Sequence, residues 1–432
     1  METLTSPLGI AAASLFLLLV CVLWLRLPIA VLLAGLGLGG ICLMNGADAA
    51  LTLVGNEIWG NFSSYSMTVV PLFILMGQIC YYSGLNERLY RALNVLVGHV
   101  PGGLAVATLL ACGGFSAICG SNTATAATMA GVALPEMRRY GYNDAFSAGT
   151  VAVGATLGVI IPPSVVLIVI GLQTGLSVSR LFVASIIPGL LLLTAFVACA
   201  RAAVHSHPEW APMHPKAALG VRMRALPGLA EVAVLWGGVL GSMSAGIVTP
   251  TEAGGLGSLL ALLMGLFTRR IGLRGIAHAV SDTLRLTAMI LLLVAGAMIY
   301  GKFLTATRLP FELSGFVAGM KAPALLILAC ILVIYFIGGM VMDALALLLI
   351  TVPIFFPLAE TLGINPIWFA MVITIVTTVG AVTPPVGVCS YVVSSMERSV
   401  SLPDVFRGVF RYIPAYLAVV VILLAMKELP IW

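Results

Sequence analysis

Apolar segments follow one another along the whole chain, and short polar stretches separate them. Runs of this length and apolarity predict helices that cross or enter a lipid bilayer. In the first half they fall at about residues 8–25, 28–44, 66–83, 102–118, 122–135, 145–157, 164–174 and 181–200. In the second half they fall at about 229–245, 251–268, 286–301, 325–340, 344–357, 367–379, 386–395 and 412–426.

The composition strengthens this interpretation. Of the 432 residues, 61% are hydrophobic and only 9% are charged, whereas a soluble domain carries about 25% charged residues. We therefore predict an all-α integral membrane protein, a polytopic helical bundle. Lys and Arg gather in short loops, which is typical of a topology signal and not of a nucleic-acid-binding surface. No catalytic triad, H-E-x-x-H motif or phosphate loop is present, so we expect neither an enzyme nor an organic cofactor.

The two halves of the chain are related by an internal repeat. A shift of 222 residues superimposes turn-forming residues without a gap from about 101 to 164. The matched pairs include Pro101 with Pro323, Pro135 with Pro357, Gly158 with Gly380, Pro162 with Pro384, and Pro163 with Pro385. Chance could match one proline, but not a double proline together with the other positions at one offset. We infer a duplication.

Each copy is predicted to contain a re-entrant hairpin and a broken helix. The hairpin breaks at 120–123 or 339–343, and its return arm of about 14 residues is too short to span a bilayer. The following span breaks at 158–163 or 380–385, where two prolines free backbone carbonyls. Loop 136–144 carries two arginines and loop 358–366 carries none. This difference predicts that the two repeats are inverted.

The breaks are candidate sites for Na+. In a bilayer, broken backbone must be buried in protein or line a wet cavity, and such breaks hold ions in secondary transporters. We predict two pseudo-symmetric sites. The predicted ligands are Ser121, Gly158, Ile161 and Pro163 in the first copy, and Asp343, Gly380, Thr383 and Pro385 in the second. The alternative is that Ser121 and its neighbours, and Asp343, only cap helices.

A substrate is expected between the two breaks. The candidate substrate-binding residues are Ser121, Asn122, Thr123, Pro162, Thr383 and Pro384. Helix N-termini after each break carry partial positive charge and favour an anion such as a carboxylate, although no basic residue lies within the breaks. Glu252, in another break, is either a helix-start carboxylate or a functional intramembrane acid.

These residues resemble the large membrane subunit of tripartite ATP-independent periplasmic (TRAP) transporters, the DctM-like family. The matching stretches are Ile74-Leu75-Met76-Gly77, Gly120-Ser121, Leu134-Pro135-Glu136-Met137, Ile160-Ile161-Pro162-Pro163-Ser164, Thr249-Pro250-Thr251-Glu252-Ala253 and Thr383-Pro384-Pro385-Val386-Gly387. The resemblance implies an elevator-type, Na+-coupled importer of organic acids in the bacterial inner membrane. It also implies two partners, a small four-helix membrane subunit and a periplasmic substrate-binding protein, with the lipid bilayer around them.

This sequence departs from the family pattern at two positions of the first tip. Cys119 stands where the family usually has serine, and a softer thiol there weakens or removes one ion ligand. Asn122-Thr123 is similar instead to the tips of Na+-coupled dicarboxylate carriers that work alone. A stand-alone Na+- or H+-coupled organic-anion carrier is therefore the alternative function, and a channel or scaffold is a third possibility that the repeat argues against.

We divide the chain into five parts on this basis. Residues 1–100 are expected to form scaffold helices, 101–175 the first transport repeat, and 323–396 the second. Residues 176–322 are expected to connect the repeats through helices and cytoplasmic loops, and 397–432 to form a C-terminal helix.

Overall fold

The computed structural model describes residues 6–24, 27–213, 215–319, 322–397 and 399–428, and no strand occurs among them. In the first half the α-helices are α1 (Pro7–Trp24), α2 (Ile29–Asn45), α3 (Ala47–Phe62), α4 (Val69–Tyr82), α5 (Leu85–Val97), α6 (Gly103–Cys119), α7 (Asn122–Arg139), α8 (Asp144–Ala155), α9 (Leu157–Ile160), α10 (Val165–Thr174) and α11 (Val178–Ser206). In the second half they are α12 (Leu219–Ser244), α13 (Pro250–Phe267), α14 (Leu273–Ala306), α15 (Leu309–Gly319), α16 (Ala324–Val341), α17 (Ala344–Thr361), α18 (Pro366–Gly380), α19 (Val388–Met396), α20 (Leu402–Phe410) and α21 (Ile413–Ala425). Short 3-10 helices cover Tyr65–Thr68 and Pro208–Trp210.

The predicted all-α membrane fold is confirmed. Within the described residues, eight helices are long and apolar enough to cross a bilayer, or nine if the pair α20–α21, bent by 47°, is one span. Several apolar helices of 10–17 residues, α6 and α18 among them, accompany these. The prediction that the hairpin return arms contain about 14 residues is wrong, because α7 and α17 each contain 18. Their length alone does not exclude a full crossing, so the hairpins are recognised by where their tips lie.

The duplication extends further than the sequence indicated. After the 222-residue shift, α7 and α17 coincide at both ends, and the bounds of α6 and α16 agree to within one residue. The same shift pairs α2 with α13, α4 with the later part of α14, α5 with α15, and α11 with α20–α21. The inverted orientation of the two copies stays a prediction from the loop charges.

Two symmetry-related helix pairs form the outer part of the bundle. Helix α2 packs on α14, and its counterpart α13 packs on α4. Glycines allow both contacts: a Cβ at Gly37 would lie 2.9 Å from backbone atoms of Tyr300, and a Cβ at Gly254 would lie 3.0 Å from Cβ of Leu72. Small residues of this kind let helix backbones approach closely in membranes, where no hydrophobic effect drives helices together.

The central parts of the two copies interlock. Helix α10 packs on α17 of the other copy, and α19 packs on α7 in the same way. We call the hairpins and broken helices of both copies, α6–α10 and α16–α19, the central unit. The C-terminal helix α21 and the residue before it, Tyr412, join this unit through two buried hydroxyl pairs of 2.6 Å, Thr150–Tyr412 and Thr156–Tyr416. Each half of the central unit therefore depends on the other half for part of its packing.

Candidate functional site

The first hairpin turns at Gly120 and Ser121. Gly120 has φ +63°, a left-handed conformation that glycine adopts without strain. Ser121 is the N-cap of α7, and its Oγ accepts from the Ala124 N–H at 3.4 Å and lies 3.2 Å from the Thr123 hydroxyl. The Ser121 carbonyl accepts from the Thr125 hydroxyl at 2.7 Å. The tip therefore concentrates hydroxyl and carbonyl oxygens within a single turn.

This tip rests directly on the first broken helix. A Cβ at Gly158 would lie 2.6 Å from the Ser121 carbonyl oxygen, and a Cβ at Gly120 would lie 2.7 Å from the Pro163 carbonyl oxygen. The Val165 N–H, at the start of α10, donates to the Gly120 carbonyl at 3.3 Å. The structure thus brings Ser121, Gly158 and Pro163 together, as the repeat predicted.

The carbonyls of the first break differ in their partners. The Pro162 carbonyl accepts a hydrogen bond of 2.9 Å from Nε1 of Trp236 on α12. Within the described residues, the carbonyls of Ile161 and Pro163 accept no hydrogen bond. Carbonyls freed by a helix break are the groups that coordinate Na+ in discontinuous transporter helices. Ile161 and Pro163 therefore have oxygens available for a cation, whereas one lone pair of Pro162 is already in use.

The second hairpin tip has a carboxylate where the first has a hydroxyl. Asp343 is the N-cap of α17, and its Oδ2 accepts from the Leu345 N–H at 3.1 Å. The tip packs on the second break, because a Cβ at Gly380 would lie 2.6 Å from the carbonyl carbon of Gly339. The Gly380 carbonyl accepts from both the N–H and the hydroxyl of Thr383, at 3.0 and 3.1 Å. The second tip and the second break are therefore in backbone contact at Gly339 and Gly380.

A cavity of about 380 Å³ separates the hairpin tips from the outer helices. The first tip lines it from Cys119 to Ala124, the second tip contributes Asp343 and Leu345, and the start of α10 contributes Val165 and Val166. The opposite wall belongs to α4 and α14, through Ile74, Gly77, Gln78, Leu286, Met289 and Ile290. Both tips therefore face one space, at their boundary with α4 and α14.

Two polar side chains at this cavity interact with each other. Asn122 is 3% exposed, and its Oδ1 accepts from the Thr123 N–H at 2.8 Å. Its Nδ2 and the Oδ1 of Asp343 are buried, and the Asn122 amide interacts with the Asp343 carboxylate without a hydrogen bond of good geometry. A polar or charged ligand at this place would offer both groups better hydrogen bonds.

Not all of the predicted site residues reach this cavity. Pro162, Thr383 and Pro384, predicted to bind substrate, do not line it. Gly158, Ile161, Pro163, Gly380 and Pro385, predicted to bind Na+, do not line it either. Gly158 and Pro163 contact the first tip, and Gly380 contacts Gly339 of the second. Glu252 forms a capping box with Thr249, in which the Thr249 N–H donates to Oε2 at 2.7 Å. The helix-start interpretation of Glu252 therefore agrees with the geometry.

Sequence reasoning missed the opposite wall of the cavity. Gln78 on α4 lines the cavity, is half-buried and forms no side-chain hydrogen bond with the described residues. It directly follows the Ile74–Gly77 motif, whose Gly77 packs against the tip: a Cβ there would lie 3.4 Å from Cα of Cys119. The signal in the sequence that could have identified Gln78 is a polar residue directly after the glycine of this motif, within an apolar segment.

Comparison with known proteins connects this arrangement to one family. Residues 16–429 match the model of the DctM component of the tripartite ATP-independent periplasmic transporter. The chain belongs to the DctM family of TRAP transporter large permeases. It is 34% identical over 335 residues to a C4-dicarboxylate TRAP large permease of Pseudomonas aeruginosa, covering 77% of this chain and 78% of the relative. It is 30% identical over 381 residues to the 2,3-diketo-L-gulonate permease of Escherichia coli, covering 85% and 86%.

Solved structures share the fold at lower identity. The YdaH transporter of Alcanivorax borkumensis has a TM-score of 0.64 and 16% identity, covering 88% of this chain and 89% of that one. MtrF of Neisseria gonorrhoeae has a TM-score of 0.59 and 14% identity, covering 88% and 84%. As a DctM-family protein the chain is a multi-pass transport protein of the bacterial inner membrane and not an enzyme. TRAP permeases move small organic substrates and work with a small membrane subunit and a periplasmic binding protein.

Proposed function

We propose that this chain is the membrane subunit of a Na+-coupled, binding-protein-dependent importer of a small organic acid, and that it works by an elevator mechanism. The observation that carries the proposal is the joint cavity. Two duplicated hairpin tips, each resting on a broken helix, face one space against α4 and α14. Transport folds built from inverted repeats bind ions and substrate at such a place.

The oxygens at each joint of tip and break support Na+ coupling. In the first copy, the carbonyls of Ile161 and Pro163 accept no hydrogen bond within the described residues, whereas the Ser121 carbonyl, close to Gly158, already accepts two from Thr125. The candidate ligands here are all oxygens. In the second copy, the predicted ligand Asp343 would add a formal charge to the oxygens proposed at Gly380, Thr383 and Pro385. Hard cations prefer oxygen ligands. A bound Na+ would also connect each tip to its break, and so order the cavity wall before substrate arrives.

The cavity suits a small anion. Its volume of about 380 Å³ is within the range of small-molecule sites, about 300–1,000 Å³. The first turns of α7 and α10 line it, and their backbone N–H groups carry partial positive charge. We assign substrate contact to Ser121, Asn122 and Thr123, with Gln78 on the opposite wall. Relatives are named for C4-dicarboxylates, 2,3-diketo-L-gulonate, sialic acid and isethionate, which supports an organic anion as the substrate.

The position of the cavity supports an elevator movement. One wall belongs to the interlocked central unit and the other to α4 and α14. If the central unit moved as a body against the outer helices, the cavity would move with it and open to alternate sides. The periplasmic binding protein would then deliver substrate to the outward-facing position, and the small membrane subunit would enlarge the outer, static part.

Thermal unfolding of the purified protein tests the ion sites without a known substrate. At equal ionic strength we expect Na+ to raise the Tm above the values in K+ and choline, since a ligand that binds only the folded state stabilises it by about 2.7 kcal/mol at one hundred times its Kd. We expect Ser121→Ala and Asp343→Asn each to reduce this Na+-specific rise. Asp343→Asn retains an acceptor for the Leu345 N–H, so its effect reports the lost charge and not a lost cap.

The matched control is Ser177→Ala. Ser177 caps α11 by accepting from the Arg180 N–H at 3.4 Å, the same bond that Ser121 makes to Ala124, but it does not line the cavity. Both serine variants should lose similar cap stability, about 1 kcal/mol, while Ser177→Ala retains the response to Na+. Equal Tm values in all three cations, or an unchanged Na+ response in both tip variants, would contradict Na+ binding at the tips.

A further inference from the structure

A second groove, lined by none of the residues of the tip cavity, lies between α5, α12 and the turn that joins α13 to α14. Its volume is about 270 Å³. Four arginines line it, Arg88 and Arg91 from α5, Arg224 from α12 and Arg270 from the turn. By the positive-inside rule, a cluster of this kind lies at the cytoplasmic surface of the membrane.

The acidic residues at this groove do not balance the arginines. Glu231 uses both of its oxygens, because Nε of Arg88 donates to Oε2 at 3.0 Å and Nη1 of Arg270 donates to Oε1 at 3.1 Å. Arg91 pairs only with Glu87, at 3.2 Å, where both side chains are mostly exposed. Arg224 forms no hydrogen bond or ion pair with any residue that the structure describes. Two positive charges therefore remain, and Arg224 is available to bind an anion.

The groove is held in shape by its own packing. A Cβ at Gly228 of α12 would lie 2.9 Å from the Arg88 carbonyl oxygen, so α12 and α5 are in backbone contact there. Glu231 holds Arg88 and Arg270 in fixed positions, and the Arg88 side chain also donates to the Ser83 carbonyl at 2.8 Å. Guanidinium groups fixed in this way match the geometry of phosphate oxygens, which they can bind through two parallel hydrogen bonds.

Apolar side chains are exposed on the first turns of α12, at the level of the charged groove. Val221 lines the groove itself and is 49% exposed. Leu219, Met223 and Leu226, exposed by 73%, 59% and 41%, lie on the opposite face of the same turns. A soluble anion would need no such neighbours, whereas a lipid has both a phosphate and acyl chains. Basic pockets between membrane helices on the cytoplasmic side are recognised by anionic lipid headgroups.

We propose that this arginine groove binds the phosphate of an anionic phospholipid from the cytoplasmic leaflet, with its acyl chains along the apolar turns of α12. Arg224 has no partner among the described residues and supplies one unbalanced charge, and Arg88 and Arg270, which share the single carboxylate of Glu231, supply the other at the base of the site. Arg91, in an exposed pair with Glu87, lines the same groove. Bound lipid would join α5 to α12 and stabilise that part of the outer bundle. The proposal is independent of Na+ coupling.

The test is thermal unfolding in detergent with added phosphatidylglycerol, phosphatidylcholine or inorganic phosphate at equal phosphate concentration. We expect phosphatidylglycerol to raise the Tm more than the other two. In the variant Arg91→Gln/Arg224→Gln the apparent affinity should fall roughly tenfold or more, because this variant removes two of the positive charges that attract the anionic headgroup. The matched control is Arg274→Gln, a nearby arginine that does not line the groove.

Native mass spectrometry gives an independent measurement on the same proteins. Retained phosphatidylglycerol should be present on the unmodified chain and on Arg274→Gln, and should be lost from the double variant. Equal stabilisation by phosphatidylcholine would overturn the proposal, as would full retention of lipid by the double variant. An equal rise with inorganic phosphate would overturn the lipid part and leave a site for a soluble phosphate.

Discussion

At the scale of single residues, Ser121 and Asp343 show that capping a helix and lining a site are compatible roles. Ser121 uses its hydroxyl to cap α7, while its carbonyl oxygen faces Gly158. Asp343 uses Oδ2 to cap α17, while Oδ1 has no hydrogen-bond partner of good geometry among the described residues. The sequence left these two interpretations open because one residue type satisfies both. For Asp343, only the structure separates Oδ2, which caps the helix, from Oδ1, which is available to a ligand.

Cys119 offers a gain-of-binding test at the first tip. Cys119 lines the cavity, two residues before the proposed Na+ ligand Ser121. A hydroxyl is a harder donor than a thiol and suits Na+ better. We therefore expect Cys119→Ser to lower the Kd for Na+ severalfold in titrations followed by Tm. The control is Cys330→Ser, which replaces an exposed thiol outside the cavity. A weaker Na+ response in Cys119→Ser would contradict a ligand role at this position.

Gly158 leaves no room for a side chain where the first tip rests on the first break. In Gly158→Ala, the new Cβ would lie 2.6 Å from the Ser121 carbonyl oxygen, so the tip must separate from the break. Overpacking of this kind costs about 1–3 kcal/mol, and we expect both a lower Tm and a lost Na+ response.

Gly131→Ala is the matched control for this substitution. Gly131 lies within α7, is exposed and has open space around its Cβ position. Alanine there should stabilise the helix by roughly 0.5–1 kcal/mol and leave the Na+ response intact. Since both variants add one methyl group to a helical glycine, a similar result in both would remove the special role assigned to the joint.

At the scale of elements, the search for continuous apolar segments identified the membrane helices and missed four others, of which α5 and α20 are clearly amphipathic. Helices α3, α5, α15 and α20 were absent from the predicted segments. In α5, Leu85, Leu89 and Leu93 are buried on one face while Glu87 and Arg91 are exposed on the other. A search for unbroken apolar runs cannot detect such a face. The return arm of each hairpin was also predicted too short, because its last turn carries polar residues that continue the helix beyond the apolar part.

Trp236 connects an outer helix to the first break, and no sequence motif marked it. Trp236→Phe keeps the ring but removes the hydrogen bond of 2.9 Å to the Pro162 carbonyl. Since a buried acceptor left without its partner costs about 1–3 kcal/mol, we expect a lower Tm and faster amide hydrogen exchange in residues 157–168. Trp59→Phe is the control, because Trp59 is 77% exposed. Unchanged exchange in Trp236→Phe would show that the bond does not hold this conformation.

At the scale of the whole molecule, the duplication was predictable and the interlocking was not. The 222-residue offset is present in the sequence, and it pairs the tip residues of the two copies correctly. That α10 of one copy packs on α17 of the other depends on contacts between segments far apart in the chain. This exchange, together with the bonds from Thr150 and Thr156 to Tyr412 and Tyr416, includes the C-terminal helix in the central unit. The central unit is thus packed as one body.

A cysteine on the outer wall tests that movement, because the wall already faces a native thiol. A Cβ at Gly77 would lie 3.4 Å from Cα of Cys119, so a cysteine at position 77 would lie next to Cys119. In Gly77→Cys, oxidation should connect α4 to the first tip and stop the central unit from moving. We would follow this with Ala127→Cys as a cavity reporter, in a Cys330→Ser background, labelled from either side of a liposome by an impermeant maleimide.

The elevator mechanism predicts that the cross-link changes the sides from which position 127 can be labelled. Without the cross-link, the thiol at position 127 should react from both sides, because the cavity alternates between them. After oxidation it should react from one side only, and reduction should restore the second. Gly77→Cys combined with Cys119→Ser cannot form the bridge and should behave as the reduced protein does. Labelling from both sides in the fully oxidised protein would mean that the cavity opens without movement of the first tip past α4, and the elevator mechanism would then be wrong for this chain.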